Sequence, residues 1–246
     1  MELSEVVEKI VKDEVKNHKE NFRFREPILG FASAEDPLYS QLSQIIGNKQ
    51  LHPKDIMADA KTVIVYFIPF SLEIIKKIQG QKNIVQEWSD NYTSTNILLG
   101  RISDILKNEL TNRGISVATE PPTNNYDPIQ LNAKWAHKSS AVIAGIGTFG
   151  LNRLLITKSG TAGRLNSLII NEEIEPTKRD EKSSYCLYYK TGKCKVCVEK
   201  CPSGALSTDG FDRFRCNAYL DGKNIHDLQQ GCGMCSSGPC AAKGFI

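Results

Sequence analysis

Leu3, Val6, Val7, Ile10, Val11 and Val15 recur at spacings of three and four through residues 2–20 with charges between them, which predicts a helix that buries one face. Pro27, Gly30, Pro37, Gly47 and Pro53 then interrupt any long regular element. From Thr62 to Ile68, closed by Pro69, β-branched and aromatic residues follow one another without alternation, the pattern of a strand covered on both faces. Helical spacing returns from Ser94 to Arg113, through Ile97, Leu98, Ile102, Ile105, Leu106 and Leu110, and Gly114 sits where a terminator belongs. Ile115–Ala118 would be the next strand. The segment Thr119–Pro128, with three prolines and two asparagines, reads as a loop of the kind that carries function. A helix is expected from about Gln130 to Ala144, ending at Gly145. Arg153–Thr157 and Arg164–Asn171 would form a hairpin around the glycine-containing turn 158–163. The polar residues 172–184 read as a linker.

With 246 residues, 40% hydrophobic and 24% charged, the chain has enough apolar surface for a core, which excludes disorder and collagen-like repeats. Thirty-one Lys and Arg against 28 Asp and Glu give a net charge of +3, scattered along the chain, so nucleic acid is not expected as the main partner. The N-terminus has no apolar run of the signal-peptide kind, and the stretch at 63–68 is too short to cross a membrane, so a cytoplasmic protein with no membrane partner is expected. All eight cysteines, at 186, 194, 197, 201, 216, 232, 235 and 240, lie in the last 61 residues. In a reducing compartment they are expected to hold metal or a cluster and not to form disulfides. The sequon Asn91-Tyr92-Thr93 then carries no glycosylation meaning.

Cys194-x2-Cys197-x3-Cys201-Pro202 contains the last three ligands and the proline of the ferredoxin-type run C-x2-C-x2-C-x3-C-P. That spacing lets a short loop present thiolates to one iron–sulfide cube while the turn at proline sends the last thiolate to a neighbouring cube. Cys232-x2-Cys235-x4-Cys240 is a looser second version, and Cys186 and Cys216 complete the eight, enough for two 4Fe-4S clusters. The competing structural reading is a pair of four-cysteine zinc sites, although zinc ribbons usually separate their C-x2-C pairs by roughly 15 to 20 residues.

The Cys-Pro-Ser-Gly-Ala-Leu segment at 201–206, Arg215-Cys216-Asn217-Ala218-Tyr219-Leu220 and Gly231-Cys232-Gly233-Met234-Cys235 resemble the iron–sulfur module of epoxyqueuosine reductases, which are related to reductive dehalogenases. Upstream, Ala144–Asn152 is similar to that family's A-G-L-G-x-x-G-K-N segment, and Leu29-Gly30-Phe31 and the strand at 62–69 fit its N-terminal half. The resemblance implies an α/β, nitroreductase-like domain that binds cobalamin, followed by a small ferredoxin-like domain with two 4Fe-4S clusters, divided here as 1–175 and 176–246. It also implies that Cys186, Cys194, Cys197 and Cys240 hold one cluster and Cys201, Cys216, Cys232 and Cys235 the other. The first set departs from the family pattern: seven residues rather than two separate Cys186 from Cys194, and Cys240 follows four residues with Pro239 before it rather than three with proline after it.

The family's proton donor is an aspartate in a D-T context; Asp127 in Asn125-Tyr126-Asp127-Pro128 is the nearest acidic residue, in a different context and several residues further away. The alternative for Asp127 is an aspartate that starts a turn before Pro128. Asn152 and Asn217 match positions next to the corrinoid in the family, and His137-Lys138 lies where substrate or cofactor contacts are made, although a lone histidine on a helix is more often structural. Cobalamin has no short motif of its own and rests on the resemblance. Gly145-Ile146-Gly147-Thr148-Phe149-Gly150 also matches the dinucleotide fingerprint, which needs a strand before the glycines and a helix after them. Trp88, Tyr92, Tyr185, Tyr188 and Tyr189 read as residues that shield clusters from water.

The function expected is an iron–sulfur oxidoreductase that relays electrons from a donor protein through two clusters to cobalamin or to a substrate, either a small molecule or a modified nucleoside. The resemblance lacks the helical-repeat domain that full-length relatives use to hold tRNA, so tRNA binding is not expected. The alternatives are a non-catalytic ferredoxin-type electron-transfer protein and a zinc-bound scaffold.

Overall fold

A computed structural model describes residues 1–47, 49–81, 86–122, 126–180, 184–222 and 231–245. In chain order the elements are α1 (Leu3–Asn17), β1 (Ile28–Ser33), α2 (Pro37–Ile46), α3 (Pro53–Ile56), β2 (Thr62–Pro69), α4 (Leu72–Gln79), α5 (Gln86–Asn112), β3 (Val117–Thr119), β4 (Tyr126–Asp127), β5 (Asn132–Ala133), α6 (His137–Ile143), β6 (Gly147–Phe149), β7 (Leu155–Thr157), β8 (Gly163–Ile170), α7 (Leu187–Thr191), α8 (Val196–Glu199) and α9 (Arg213–Asp221). Four strands form an antiparallel sheet in the order β1-β2-β8-β3, with Phe31 opposite Ile64 and Thr62 opposite Ile170.

The uninterrupted apolar run of β2 follows from its place inside this sheet, where every residue from Thr62 to Pro69 is buried. Side chains alternate between faces along a strand. Ile64, Tyr66 and Ile68 meet Val7 and Val11 of α1 and Leu98, Ile102 and Leu106 of α5 on one side. Val63, Val65 and Phe67 meet Tyr39 and Leu42 of α2 and Ala141 and Ile143 of α6 on the other. With each fully buried Val or Ile contributing about 1.5–3 kcal/mol, these two layers supply most of the cohesion of the first half. Mixed α/β architecture is therefore as expected, and no helix among the described residues is long and apolar enough to cross a membrane.

Three elements differ from the sequence reading. The helix expected over 130–144 is shorter: β4 and β5 form a small hairpin, and α6 begins only at His137. The hairpin expected around 158–163 does not form, because β7 pairs with β6 and β8 pairs with β2 and β3. Residues 172–180 carry no helix or strand, yet they are stitched down and not a loose linker: the amide of Thr177 donates to Phe31 O, its hydroxyl accepts from Phe31 N, and Arg179 reaches Asp36 at 3.0 Å and Ile143 O at 2.9 Å. Residues 181–183 of that segment, and 123–125 of the proline-containing loop, lie outside the described residues.

The helix α6 crosses β1 at Gly30, where an added Cβ would lie 2.3 Å from Ile146 Cγ2 and 2.5 Å from Ala144 O. Backbone cannot yield as a side chain can, and overpacking of this kind costs about 1–3 kcal/mol. Gly30→Ala should lower the urea unfolding midpoint accordingly; an unchanged midpoint would show that the α6 contact is loose.

Beyond the sheet, two smaller clusters join the halves of the chain. Phe70, Ile74, Ile75, Ile78 and Trp88 pack on Met234 and Ala241, and Leu151 and Ile156 pack on Cys186, Cys197 and Leu206. The cysteine-bearing segment is thus seated against the β6–β7 hairpin and the N-terminal part of α5.

Candidate functional site

All eight cysteines are free thiols, and the fold sorts them into two sets. Cys186 precedes α7, Cys194 lies in the loop after it, Cys197 is in α8, and Cys240 sits in the turn Pro239–Ala241. Burial pushes the Cys197 thiol up to about 11, helped by Cys186 and Cys194; burial pushes Cys240 up to about 12, helped by Cys186, Cys197 and Cys194. These four line a recess together with Leu151, Asn152, Ile156 and Pro239. The second set comprises Cys201 after α8, Cys216 in α9, and Cys232 and Cys235 on either side of Gly233 and Met234. Burial raises Cys216 to about 11 with help from Cys232 and Cys201, and raises Cys235 to about 12 with help from Cys232, Cys216 and Cys201. Burial also acts upward on Cys201, but the Ser203 hydroxyl and the backbone N–H groups of Leu206, Ala205 and Ser203 outweigh it and hold this thiol below the usual range.

Thiols that push one another's titration upward are like charges waiting for a counter-charge. Among the described residues no three His, Cys, Asp or Glu side chains converge closely enough for a single metal ion. Zinc binds thiolate at about 2.3 Å and would draw four sulfurs onto one point.

Adjacent residues bridge the sets. The Leu151 amide donates to Cys186 Sγ at 3.4 Å, and Asn152 Nδ2 donates to Cys235 O at 3.1 Å while its Oδ1 accepts from Leu154 N. Asn152 is buried, so its amide is committed to holding this junction. Asn217 follows Cys216 on α9, and its Nδ2 donates to Asp221 Oδ2 at 2.9 Å. The glycines at 145–150 run from the end of α6 into β6, with Gly145 at φ 71°, so a helix precedes them and a strand follows. That order is the reverse of the dinucleotide fold and removes that reading.

Asp127 has a structural task. Its Oδ1 accepts from the amides of Ile129 and Gln130, both at 2.8 Å, on an exposed hairpin. These amide hydrogen bonds, Gln130 first, hold its carboxyl below the usual carboxylate range. A carboxylate stabilised in its charged form is a poor proton donor, and these bonds match the alternative reading of Asp127 as a turn-starting aspartate.

Basic side chains approach the second set from the sheet side. Lys138 is exposed by its surface, yet desolvation pulls its ammonium down; Cys235 acts upward and Arg164 downward on it. Lys138 Nζ donates to Arg153 O at 3.4 Å. Arg164, at the start of β8, stacks its guanidinium 3.9 Å from the Tyr92 ring centre and donates from Nε to Asn96, while its buried Nη2 has no partner among the described residues. Both side-chain amide atoms of Asn91, which is fully buried, and Nε1 of Trp88 likewise have no hydrogen-bond partner among the described residues. Trp88 covers Gly233, between Cys232 and Cys235, where an added Cβ would lie 2.3 Å from the indole.

No family model matches the chain. An epoxyqueuosine reductase of Vibrio cholerae serotype O1 is 29% identical over 118 residues, covering 47% of this chain and 30% of that protein. One from Lactococcus garvieae is 26% identical over 179 residues, covering 70% of this chain and 46% of that protein. The chain thus matches less than half the length of these curated relatives. Epoxyqueuosine reductase from Streptococcus thermophilus superposes on 96% of this chain and 68% of its own, at a TM-score of 0.53 and 21% identity. The fold is that of the epoxyqueuosine reductases. A reductive dehalogenase shares it, at a TM-score of 0.58 and 16% identity over 85% of this chain and 28% of its own.

In this epoxyqueuosine reductase-like fold, His137 proves structural. The network assigns a neutral ring: Nε2–H donates to Pro121 O at 3.0 Å, Nδ1 accepts from the Ser167 hydroxyl at 2.8 Å, and Ser167 Oγ accepts from Trp135 Nε1. Burial pushes His137 down to about 4 from 6.5. The unfolded chain takes up a proton first as pH falls, so the stability His137 confers is full above 6.5 and drains away towards 4, by about 3 kcal/mol at most. Urea midpoints should therefore fall between pH 7 and pH 5 more in the native protein than in His137→Gln; parallel falls would remove His137 as the cause. Sequence reasoning missed Arg164, Tyr92 and Asn91, since only tertiary packing brings β8 and α5 together here.

Proposed function

We propose that the chain is an iron–sulfur oxidoreductase of the epoxyqueuosine reductase type, with one 4Fe-4S cluster on Cys186, Cys194, Cys197 and Cys240 and another on Cys201, Cys216, Cys232 and Cys235. The observation that carries this reading is the separation of eight free thiols into two sets joined by the neighbours Leu151 and Asn152. Hydrogen bonds to sulfur and exclusion of water tune cluster potentials; here Leu151 N–H at Cys186 and the indole of Trp88 over Gly233 fill those parts.

Buried polar atoms of Arg164, Asn91 and Trp88 have no hydrogen-bond partner among the described residues, and Lys138 lies within electrostatic reach of Cys235, which supports a polar cofactor on this side of the second set. A reductive dehalogenase of the same fold is described as B12-dependent, and cobalamin is the cofactor proposed here. Cobalamin, when bound, supplies a metal centre that collects single electrons and delivers them to a substrate. The protein's own part is to position, keep water out and supply a proton. Lys138, within electrostatic reach of Cys235, is the side chain we propose for that proton, in place of Asp127, whose carboxylate caps an exposed hairpin. The substrate class is a small molecule or a modified nucleoside; a relative of this fold has been solved with an epoxyqueuosine-modified tRNA stem loop.

The second reading, an electron-transfer protein without chemistry of its own, is favoured by the capped and exposed Asp127. Titrating anaerobically prepared, iron-loaded protein with cob(II)alamin and following the cobalt by electron paramagnetic resonance separates the two. Tight binding with an altered cobalt signal supports the reductase; no binding with both cluster signals intact leaves the electron carrier.

A further inference from the structure

The indole of Trp88 is buried, and its Nε1 has no hydrogen-bond partner among the described residues. The ring lies edge-on to Phe70, 5.4 Å between ring centres, in a core group with Ile74, Ile75, Ile78 and Met234 on which Cys232 also packs. Gly233, between Cys232 and Met234, holds φ at 72°, a backbone conformation that favours glycine. A Cβ added there would meet the indole at Cδ2, 2.3 Å away, and at Cε2, 2.4 Å away. Cε2 is the ring atom bonded to Nε1, so the donor sits one bond from the point where the ring touches the cysteine loop. Glycine is therefore required here both for the turn and for the approach of the indole.

A buried N–H without a partner is costly, and an indole can only donate. Its partner must be an acceptor. Three residues along α5, and so on the same helix face, Asn91 is fully buried with Oδ1 and Nδ2 both without a partner among the described residues. That carboxamide needs a group that donates as well as accepts. Thiolates and sulfides only accept, so a cluster satisfies the indole and leaves half of Asn91 unmet. Chemistry thus sorts the two side chains: Asn91 suits the polar cofactor, and Trp88, seated on the loop from Cys232 to Cys235, suits the cluster.

We infer that the Trp88 indole N–H donates a hydrogen bond to a sulfur of the cluster held by Cys201, Cys216, Cys232 and Cys235 and thereby raises its reduction potential, an inference that rests on the two-cluster reading above. A reduced cluster carries one more negative charge than an oxidised one. A fixed donor stabilises the reduced state more, and burial keeps water from weakening the effect. One electron arrives, the proton stays on nitrogen, and no bond is made or broken apart from the strengthening of this contact.

The test uses iron-loaded, cobalamin-free protein whose tryptophans carry an isotopic label at the indole nitrogen, reduced and read by pulsed electron paramagnetic resonance. The chain has two tryptophans, and Nε1 of the other, Trp135, already donates to Ser167 Oγ at 2.9 Å. The expected result is a coupling between labelled nitrogen and the cluster that Cys216→Ser removes, kept in Trp135→Phe and absent from Trp88→Phe. Trp88→Phe keeps a ring against Phe70 and loses the donor. In it the equilibrium constant for one-electron reduction of that cluster should fall about 10-fold, equivalent to about 59 mV, with the other cluster unmoved. Absence of the coupling from native protein would overturn the inference even if the potential fell, because exclusion of water would then account for the shift. A coupling with an unchanged potential would overturn the tuning role. A coupling seen only at cobalt after cob(II)alamin is added would give the indole to the cofactor instead. Native protein that takes up no iron and sulfide would sink the two-cluster reading itself, whereas two intact cluster signals without nitrogen coupling would sink this inference alone.

Discussion

Cys216→Ser is expected to leave anaerobically reconstituted protein with about four of about eight irons, and Cys197→Ser to do the same at the other set. Each variant removes one thiolate from its set, and neither residue is a partner in the hydrogen bonds of Leu151 and Asn152 that join the sets, although Leu151 packs on Cys197. The surviving set therefore keeps its backbone support. Two reduced clusters this close broaden each other's paramagnetic resonance, so the native spectrum should be complex and each variant's simple and different from the other's. Iron, sulfide and zinc analyses accompany the spectra. Loss of all iron in both variants would mean one cooperative site rather than two; zinc in place of sulfide would return the scaffold reading.

The parts of this site that were legible in the sequence are those in which chemistry dictates local spacing. A cluster loop must place thiolates a few residues apart, so Cys194, Cys197 and Cys201 declared themselves, as did Cys232 and Cys235. Cys240 was less plain, because it reaches the first set through strand-like bonds from Thr161 and Ala162 to the carbonyls of Cys240 and Ala241 rather than through spacing. The fold shows the same division. The strand β2 announced itself because both faces are covered, whereas α5 begins eight residues before the reading that placed it at Ser94: its first turns bury Trp88 together with the polar Asn91, Ser94 and Thr95, which an apolar periodicity does not register. The short α6 was obscured by Trp135, whose burial depends on stacking with Tyr39 and a hydrogen bond to Ser167 across the sheet. Lys138 and Arg164 come from α6 and β8 and leave no common pattern along the chain.

Arg25→Met is expected to cost about 3 kcal/mol and to weaken the first cluster before the second. The Arg25 guanidinium has no carboxylate partner among the described residues; Nε donates to Phe70 O at 2.7 Å, Nη1 to Ala242 O at 2.9 Å and Nη2 to Ser159 O at 2.6 Å. Three carbonyls from three segments thus share one planar donor set, and burial pulls its pKa down because no counter-ion repays the desolvation. Removing the donors leaves acceptors that each cost about 1–3 kcal/mol when fully buried; partial access of water to the half-buried site brings the sum down to about 3 kcal/mol, a large share of the 5–15 kcal/mol typical of a folded domain. Arg25→Lys restores the charge but not the fork, since an ammonium is a point donor, and should recover less than half. The effect reaches the site because Ala242 lies two residues beyond Cys240, and the turn at Ser159–Gly160 packs on Ala241, whose carbonyl oxygen would be 2.3 Å from a Cβ at Gly160. Urea midpoints of the apo chains read the stability, and the iron lost on mild chelation, assigned by the resonance signals that the cysteine variants define, reads which cluster goes first. Equal stability of Arg25→Lys and the native chain would show that charge, not the fork, does the holding; simultaneous loss of both clusters would show that the tie is global and not directed at Cys240.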